Sequence, residues 1–409
     1  MSSPARSPRK PFDVALIGLS TRALARSARR AGLAALALDL FADADTREHA
    51  AGAVRVRPRR RGVGLDPAAL LAALEAHAPA GLPVVFGAGF ENATELMVAI
   101  GRRHPIRGAA PETVRRLKDP FAFAALLRSL DVAHPEVADI RDLSNLSPGW
   151  LSKRVGGSGG AHIRSVGGRA VRERYAQARV AGSPFSALFL ADGARARLVA
   201  FSAQWADPTP AAPFRYGGAV GPIALPAERE RAVAAMLDRL VAASGLVGLA
   251  SADMIATGAD GADFALIEIN PRPGATLDLF DHAPQPSLLA AHLDACDGRL
   301  PDAAPRPVDA RAAAVVYAPH ATTTAGLSRP AWTADWPASQ ALIPRGAPVC
   351  TALAAAATPE AARALVERRR LALLAALRSL RRKAAADPEL QDSKLQNSAF
   401  QDLEPTVPA

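Results

Sequence analysis

The sequence predicts an α/β chain that continues into α+β structure, and three observations support this class. Strand-like and helix-like segments alternate over residues 12–110, with a first helix opening at 21–25, which is the pattern of a parallel doubly wound sheet. Two strand-like segments at 249–255 and 264–270 are joined by a short polar turn, as in a hairpin. A lysine-bearing strand also runs into a glycine-rich loop at 156–160.

The predicted hairpin brings three oxygen-bearing side chains together. Asp260-Gly261 is the dipeptide preferred for a two-residue hairpin turn, because both central residues need positive φ. A turn centred on that dipeptide places Asp253 directly opposite Glu268, and cross-strand partners share a face. Asn270 lies on the same side as Glu268, since side chains alternate along a strand.

Two carboxylates and one amide oxygen suit a hard cation such as Mg²⁺ better than histidine or cysteine would. The alternative is a solvated hairpin with polar tips. That alternative does not explain why Ile267 and Ile269 alternate with the polar pair, or why Arg272 follows at once.

Lysine is rare in this chain, so its positions are informative. The sequence holds 49 basic residues, but lysine occurs at only five positions, three of them in the terminal segments. Lys118 and Lys153 are left in the globular part. A compact ammonium on a flexible stem suits phosphate oxygens deep in a site where a guanidinium does not fit. Chance survival of two surface lysines is the alternative.

Lys153 precedes a loop of four glycines and a serine at residues 156–160. Such a loop can fold its backbone N–H groups over phosphate oxygens without the steric cost of a Cβ atom. A plain flexible turn is the alternative for this loop taken alone.

Composition limits the remaining function classes. The 409 residues suffice for two or three domains, and 49% hydrophobic content supports sizeable cores. The net charge of +10 comes with only 5% aromatic residues and no stacking module, so no nucleic-acid partner is expected. No membrane partner or secretion is expected either, because apolar runs of the required length are missing. Two distant cysteines, Cys296 and Cys350, fit a reducing cytoplasm.

Together these motifs resemble those of the ATP-grasp superfamily, and they follow that family's order over residues 12 to 380. Residues 12–18 and 84–92 resemble two strands of the Rossmann-like domain that precedes the grasp. Residues 111–120 resemble the linker helix with the first ATP-contacting lysine. Residues 343–351, followed by a helix, resemble the carboxy-terminal lobe of carboxylase-type and purine-pathway members.

The resemblance implies a role for each matched residue. Arg272 would steady the transferring phosphoryl group and, with Lys153, act in catalysis. The hinge strand departs from the family pattern, because Ala178 stands where relatives have an acidic residue. The implied ligands of Mg²⁺, or of Mn²⁺ in its place, are Asp253, Glu268 and Asn270. The implied ATP contacts are Lys118, Lys153, Gly156, Gly157, Ser158, Gly159, Gly160, Gln177 and Val180.

The same resemblance divides the chain into parts. Proline- and glycine-rich segments at 203–226 and 302–348 are predicted to be substrate-side loops. The predicted parts are a disordered basic tail at 1–11, a Rossmann-like pre-ATP-grasp domain at 12–110, an ATP-grasp domain of two α+β subdomains at 111–300, a small carboxy-terminal lobe at 301–383 and a disordered tail at 384–409.

The reaction that the resemblance implies is activation of a carboxylate by ATP as an acyl phosphate, which an amine then captures. The leading prediction is therefore an ATP- and Mg²⁺-dependent carboxylate-amine ligase or carboligase. Within the family, the chain looks most similar to ligases of one-carbon cofactor pathways of the methanofuran and tetrahydromethanopterin type. The expected partners are small-molecule carboxylate and amine substrates and a second copy of the chain in a homodimer.

Two alternatives stay open. One is an ATP-binding regulatory or scaffold subunit without turnover, against which the intact acidic set and both lysines argue. The other is a component of a biotin-dependent carboxylase, whose biotin carrier would be a separate protein because the chain has no Met-Lys-Met motif.

Overall fold

The structure of the protein is a computed structural model. It describes residues 11–60, 63–141, 149–166, 173–257, 263–303, 307–338 and 340–386. Most of the predicted tails at 1–11 and 384–409, namely residues 1–10 and 387–409, and the predicted turn at Asp260-Gly261 lie outside these ranges.

The first part of the chain is a parallel sheet of four described strands in the order β3-β2-β1-β4. Strand β1 and the first four residues of β2 are continuous apolar runs, and every residue of both strands is buried, as expected where helices cover both faces of a sheet. Its elements are β1 (Val14–Ile17), α1 (Arg22–Arg30), β2 (Ala35–Asp39), α2 (Ala44–His49), β3 (Gly52–Arg55), α3 (Pro67–His77), β4 (Val84–Phe86) and α4 (Thr94–Gly101).

A smaller antiparallel sheet follows, with the described order β5-β8-β6-β7. Two helices lead into it, and the second begins with Pro120 after Asp119, whose carboxylate accepts the backbone N–H groups of Phe121 and Ala122. The elements are α5 (Pro111–Lys118), α6 (Pro120–Ser129), β5 (Val137–Asp139), β6 (Trp150–Arg154), β7 (Arg164–Ser165) and β8 (Arg174–Ala178).

The remaining strands form one antiparallel sheet with the described order β13-β12-β9-β10-β11-β14-β16-β15. Its elements are β9 (Ser183–Asp192), β10 (Ala196–Ala206), β11 (Tyr216–Gly221), α7 (Ala227–Ser244), β12 (Val247–Ala256), β13 (Phe264–Asn270), α8 (Leu277–Phe280), α9 (Leu288–Cys296), β14 (Ala310–Tyr317), β15 (Thr333–Ala334), β16 (Pro348–Ala356) and α10 (Pro359–Ala386). Because β11 hydrogen-bonds to β14, the sheet continues across residue 300, where a domain boundary is predicted. The domain boundaries stay predictions.

Three local predictions were wrong. The proposed loop at 203–226 contains the end of β10 and all of β11, and the loop at 302–348 contains β14. Glycine is needed inside β11 because a Cβ atom on Gly218 would lie 2.3 Å from the ring of Trp205, so this glycine serves packing within a strand. Residues 384–386, predicted to begin a disordered tail, are instead helical, because the alanines there extend α10 to Ala386.

Among the described helices, none combines the length and apolar character needed to cross a membrane.

A buried ion pair joins the first sheet to the large sheet. Arg22 at the start of α1 binds both carboxylate oxygens of Asp278 in α8, with Nη2 2.5 Å from Oδ2. The same guanidinium lies 3.1 Å from Asp335. Burial alone would raise the pKa of Asp278, but the charge and hydrogen bonds of Arg22 outweigh it and hold that pKa below its ordinary value. The position of α1 against the large sheet therefore depends on charge as well as packing.

Replacing Arg22 by methionine should lower the free energy of unfolding by about 3–5 kcal/mol, because Asp278 is left buried without its main partner. Urea unfolding at neutral pH measures this loss. Arg57→Met is the matched control, since the Arg57 side chain is 72% exposed in its pair with Asp66, and it should change stability far less. Equal losses in both variants would contradict the role given to Arg22.

The same pair predicts a pH dependence. Because the folded-state pKa of Asp278 is depressed, its contribution to stability is present above the unfolded value of about 3.9 and is lost as pH falls through the folded value. The stability difference between the wild type and Arg22→Met should therefore shrink below about pH 4. Urea unfolding repeated down to about pH 3 tests this; a difference independent of pH would refute it.

Candidate active site

An open cleft lies between the small sheet, the helix pair α5–α6 and strand β13. It encloses about 590 Å³ of empty space, part of it open to solvent. Apolar side chains from α6 form one wall, and two lysines and a carboxylate form the other. The polar residues of the wall include Lys118, Lys153, Arg154, His162, Gln177 and Glu268.

The three predicted oxygen ligands converge at one end of this cleft. Asp253 in β12 pairs with Glu268 in β13, as the sequence predicted. The amide Nδ2 of Asn270 donates to Asp253 Oδ2 at 2.9 Å, and Nε2 of Gln204 donates to Asp253 Oδ1 at 3.0 Å. Asp253 is thus held by two amides, which leaves Asn270 with its carbonyl oxygen pointing away from it.

Asp253 pairs with Glu268 as predicted, but the register of the strands nearer the turn differs from the prediction. Met254 pairs with Leu266, so the strands leave the hairpin in another register than a turn at Asp260-Gly261 would set. A register shift between Asp253 and Met254 leaves Ile267 as an extra residue on β13. This β-bulge restores the predicted pair at the cleft.

The surroundings of the two carboxylates shift their pKa values in opposite directions. Burial and the nearby Glu268 raise the pKa of Asp253. Burial also opposes ionisation of Glu268, but Lys118 and Lys153 outweigh it and lower the pKa of Glu268. Glu268 is therefore the firmly ionised member of the pair.

Both predicted lysines reach this end of the cleft. Lys118, the last residue of α5, places Nζ 2.6 Å from Glu268 Oε1 and 2.9 Å from Asn270 Oδ1. Lys153 in β6 is also buried, and burial lowers its pKa although Glu268 and Asp253 partly offset that effect. Lys153 donates no hydrogen bond to another described residue.

The oxygen set is compatible with a divalent cation. Glu268 and the carbonyl oxygen of Asn270 face one position, with Asp253 bonded to the amide nitrogen of Asn270 beside them, and Mg²⁺ binds few protein oxygens while keeping waters and phosphate ligands. Over the described ranges, no group of three or more histidine, cysteine, aspartate or glutamate side chains is arranged to hold a metal. Any metal here would therefore rely on the amide and on a bound phosphate as well.

The glycine-rich loop is folded against two other parts of the chain. A Cβ atom on Gly156 would lie 2.8 Å from Asn92, and one on Gly160 would lie 1.9 Å from the carbonyl oxygen of Phe214. The backbone N–H of Tyr216 donates to the Gly159 carbonyl at 2.9 Å. The loop is therefore held both by the end of the first sheet and by the turn before β11.

The predicted nucleotide contacts divide into two groups. Gly156, Gly157 and Gln177 line the cleft, with Gln177 buried in β8. Ser158, Gly159 and Gly160 continue the loop toward β11, and Val180 follows the end of β8; none of these four is in the cleft wall. Their contacts with a nucleotide stay predictions.

Arg272 is paired with a residue that sequence reasoning did not single out. Its Nε lies 2.8 Å from Glu91 Oε1, and Glu91 accepts the Gly89 N–H at 2.7 Å through Oε2. Burial would raise the pKa of Glu91, but Arg272 and Lys118 lower it. A carboxylate just beyond the carboxyl end of β4 was the available signal, because ligands of open α/β sheets bind at that edge.

His162 is a second residue of the cleft wall to which the sequence analysis gave no role. Its ring packs on Gly157, where a Cβ atom would lie 2.5 Å from the imidazole. Burial lowers the pKa of His162 to about 4, so the ring is neutral at physiological pH. Its buried Nδ1 has no hydrogen-bond partner among the described residues.

The docked loop gives a direct test. Gly159 and Gly160 both have positive φ, but only a side chain at Gly160 would meet another atom within 4 Å. Gly160→Ala should therefore detach the loop and speed hydrogen exchange of the Tyr216 amide by roughly 10-fold or more, because its acceptor is the Gly159 carbonyl. Gly159→Ala is the control, with backbone strain alone; equal exchange rates in the two variants would contradict the docking.

Comparisons with known proteins agree with this arrangement. A sequence profile of the ATP-grasp domain matches residues 117–276. No curated protein matches the chain significantly.

Solved structures share the fold over most of the chain, at identities that establish the fold alone. Biotin carboxylase from Campylobacter jejuni has a TM-score of 0.66 at 13% identity, covering 86% of this chain and 89% of that one. Carboxyaminoimidazole ribonucleotide synthase from Aspergillus clavatus has a TM-score of 0.66 at 14% identity, covering 89% and 98%. L-amino acid ligase from Bacillus licheniformis has a TM-score of 0.61 at 16% identity, covering 88% and 97%. The chain therefore contains an ATP-grasp domain over residues 117–276 and shares its overall fold with these solved structures.

Proposed function

We propose that this protein is an ATP- and Mg²⁺-dependent ligase that activates a carboxylate as an acyl phosphate and joins it to an amine. The observation that carries the proposal is the convergence of Lys118, Asp253, Glu268 and Asn270 at one end of a cleft covered by a glycine-rich loop. Buried cations beside buried carboxylates are what a phosphoryl-transfer site needs for positioning and electrostatic stabilisation.

The proposed reaction has two steps. A carboxylate oxygen of the substrate attacks the γ-phosphorus of ATP, the bond to the bridging oxygen breaks, and ADP leaves. The amine nitrogen then attacks the acyl carbon, inorganic phosphate leaves and the nitrogen loses a proton. The products are an amide, ADP and phosphate.

The residues of this chain act mainly by holding charge in place. Lys118 and Lys153 would bind the α- and β-phosphates, and Asp253, Glu268 and Asn270 would hold the metal. When bound, Mg²⁺ neutralises charge on the β- and γ-phosphates. Arg272, oriented by Glu91, faces the transferred phosphoryl group.

The glycine-rich loop keeps water away from the acyl phosphate. Its contacts with Asn92 and Phe214 hold the loop beside the open cleft, where it would limit a competing hydrolysis. Neutral His162 packs beneath the loop at Gly157 and adds apolar cover there.

Names of structural neighbours support the ligase class. They include phosphoribosylamine–glycine ligase from Thermotoga maritima and the L-amino acid ligase from Bacillus licheniformis. The finer proposal is a ligase of one-carbon cofactor biosynthesis, of the methanofuran or tetrahydromethanopterin type, acting as a homodimer in the cytoplasm. The biotin carboxylases among the neighbours favour, as a second candidate, a carboxylase component that works with a separate biotin carrier.

Turnover against a substrate panel tests the proposal. ADP and phosphate release from MgATP should require both a carboxylate and an amine, and the panel includes glutamate, tyramine-like amines and pterin or furan precursors. Glu268→Ala should reduce release by more than roughly 100-fold, because the firmly ionised ligand is lost. Glu95→Ala is the matched control, since the Glu95 side chain is 85% exposed on α4.

The outcomes separate the candidates. Release that needs bicarbonate and free biotin would favour the carboxylase component. Nucleotide binding without release on any pair would favour the regulatory or scaffold subunit. Failure to bind MgATP would remove the basis of all three.

A further inference from the structure

The ammonium of Lys118 occupies oxygens that are assigned to the metal. Its Nζ is bonded to Glu268 Oε1 at 2.6 Å and to Asn270 Oδ1 at 2.9 Å, and the side chain is 4% exposed. Of the three proposed ligands, only Asp253 is not bonded to it; Asp253 is held by the amides of Asn270 and Gln204. Two of the three proposed metal ligands thus already bind the ammonium of Lys118.

A divalent cation and the ammonium would repel each other if both used these two oxygens. Mg²⁺ lies about 2.0–2.1 Å from its oxygen ligands. A metal bound to the same two oxygens would lie within roughly 4 Å of Nζ, at a buried position where screening by water is weak. The ammonium and the metal therefore compete for Glu268 and Asn270.

Lys118 lies near two further carboxylates, because its charge acts on the pKa values of Glu91 and Asp253. Its stem starts at the end of α5 and lines the cleft, with Leu117 and Pro120 as its apolar neighbours in the wall. Glu268 is the one carboxylate among the described residues of the cleft wall, so further anionic oxygens on that side would have to come from a ligand. The phosphates of a nucleotide provide such oxygens.

Lys153 provides the contrast. It is buried beside the same carboxylates, and its charge interacts with Glu268 and Asp253. Among the described residues, however, it donates no hydrogen bond to the ligand oxygens. Any effect of Lys153 on metal binding is therefore a longer-range effect of charge alone.

We propose that Lys118 is an internal stand-in cation that blocks the metal ligands until nucleotide phosphates draw it away. A divalent cation then binds firmly only together with a nucleotide, which guards the site against free metal ions. This inference rests on the proposed nucleotide and metal site. By linkage, the nucleotide raises the affinity for the cation by the same factor by which the cation raises the affinity for the nucleotide.

The test is Mn²⁺ binding to the full-length protein, followed by electron paramagnetic resonance without turnover. Wild type, Lys118→Met and Lys153→Met are each titrated with Mn²⁺ alone and with Mn²⁺ plus ADP. We expect Lys118→Met to bind Mn²⁺ alone about 10-fold or more tightly than wild type, and Lys153→Met to gain less than about 3-fold. In the presence of ADP, wild type should bind Mn²⁺ more tightly than free ADP binds Mn²⁺ in solution. In Lys118→Met, ADP should raise the affinity for Mn²⁺ much less.

Equal affinity of wild type and Lys118→Met for Mn²⁺ alone would overturn the inference. An equal gain in Lys153→Met would also overturn it, because long-range charge and not occupancy would then be the cause. Failure of the proposed nucleotide site would give a different result, because ADP would then change the Mn²⁺ affinity of no variant. The comparison of wild type with Lys118→Met in Mn²⁺ alone would still test the inference.

A second measurement covers the case in which Lys118→Met does not fold. Lysine labelled with ¹³C at Cε gives a simple NMR spectrum, because the chain holds five lysines. The buried Lys118 signal should move on addition of ADP alone and stay in place on addition of Mg²⁺ alone. A shift with Mg²⁺ alone as large as the shift with ADP would contradict the blocked site.

Discussion

Two half-buried carboxylates on neighbouring strands determine how the rest of this site is arranged. Asp253 and Glu268 face each other across β12 and β13, where burial and like charge both oppose full ionisation. Amide groups of Asn270 and Gln204 satisfy Asp253, while the ammonium of Lys118 satisfies Glu268. The end of α5 is thus fixed against β13 by an ion pair as well as by apolar contact, and the cleft opens beside that junction.

The glycine-rich loop connects this junction to the first sheet and to the large sheet. It leaves β6 directly after the buried Lys153, touches Asn92 beyond β4, and reaches Phe214 before β11. Glycine at each contact lets the backbone approach closer than any side chain would allow. Because the loop contacts both sides, its position depends on the placement of the first sheet and of the large sheet.

The sequence was sufficient for the hairpin, the two inner lysines and the loop, because each depends on residue type and short spacing. It was not sufficient for the bulge at Ile267, since a bulge depends on backbone geometry that no single residue type specifies. Gly218 was misread as part of a loop because its role is to let Trp205 pack across β11, a contact between strands that composition does not reveal. Glu91 was missed for a related reason: its partner, Arg272, lies far along the chain.

The pair formed by Arg272 and Glu91 shows how a residue beside the first sheet orients a residue of the proposed site. Glu91 is buried, so separating it from Arg272 would leave an uncompensated charge, which is costly. Arg272 therefore keeps this partner, and the bond runs through Nε. The Nε edge of the guanidinium faces Glu91, which is itself held by the loop that follows β4, and Nη1 lies beside Gly274, where a Cβ atom would be 2.8 Å away. The orientation of the residue proposed to face the phosphoryl group is thus determined by a segment more than one hundred residues earlier in the chain.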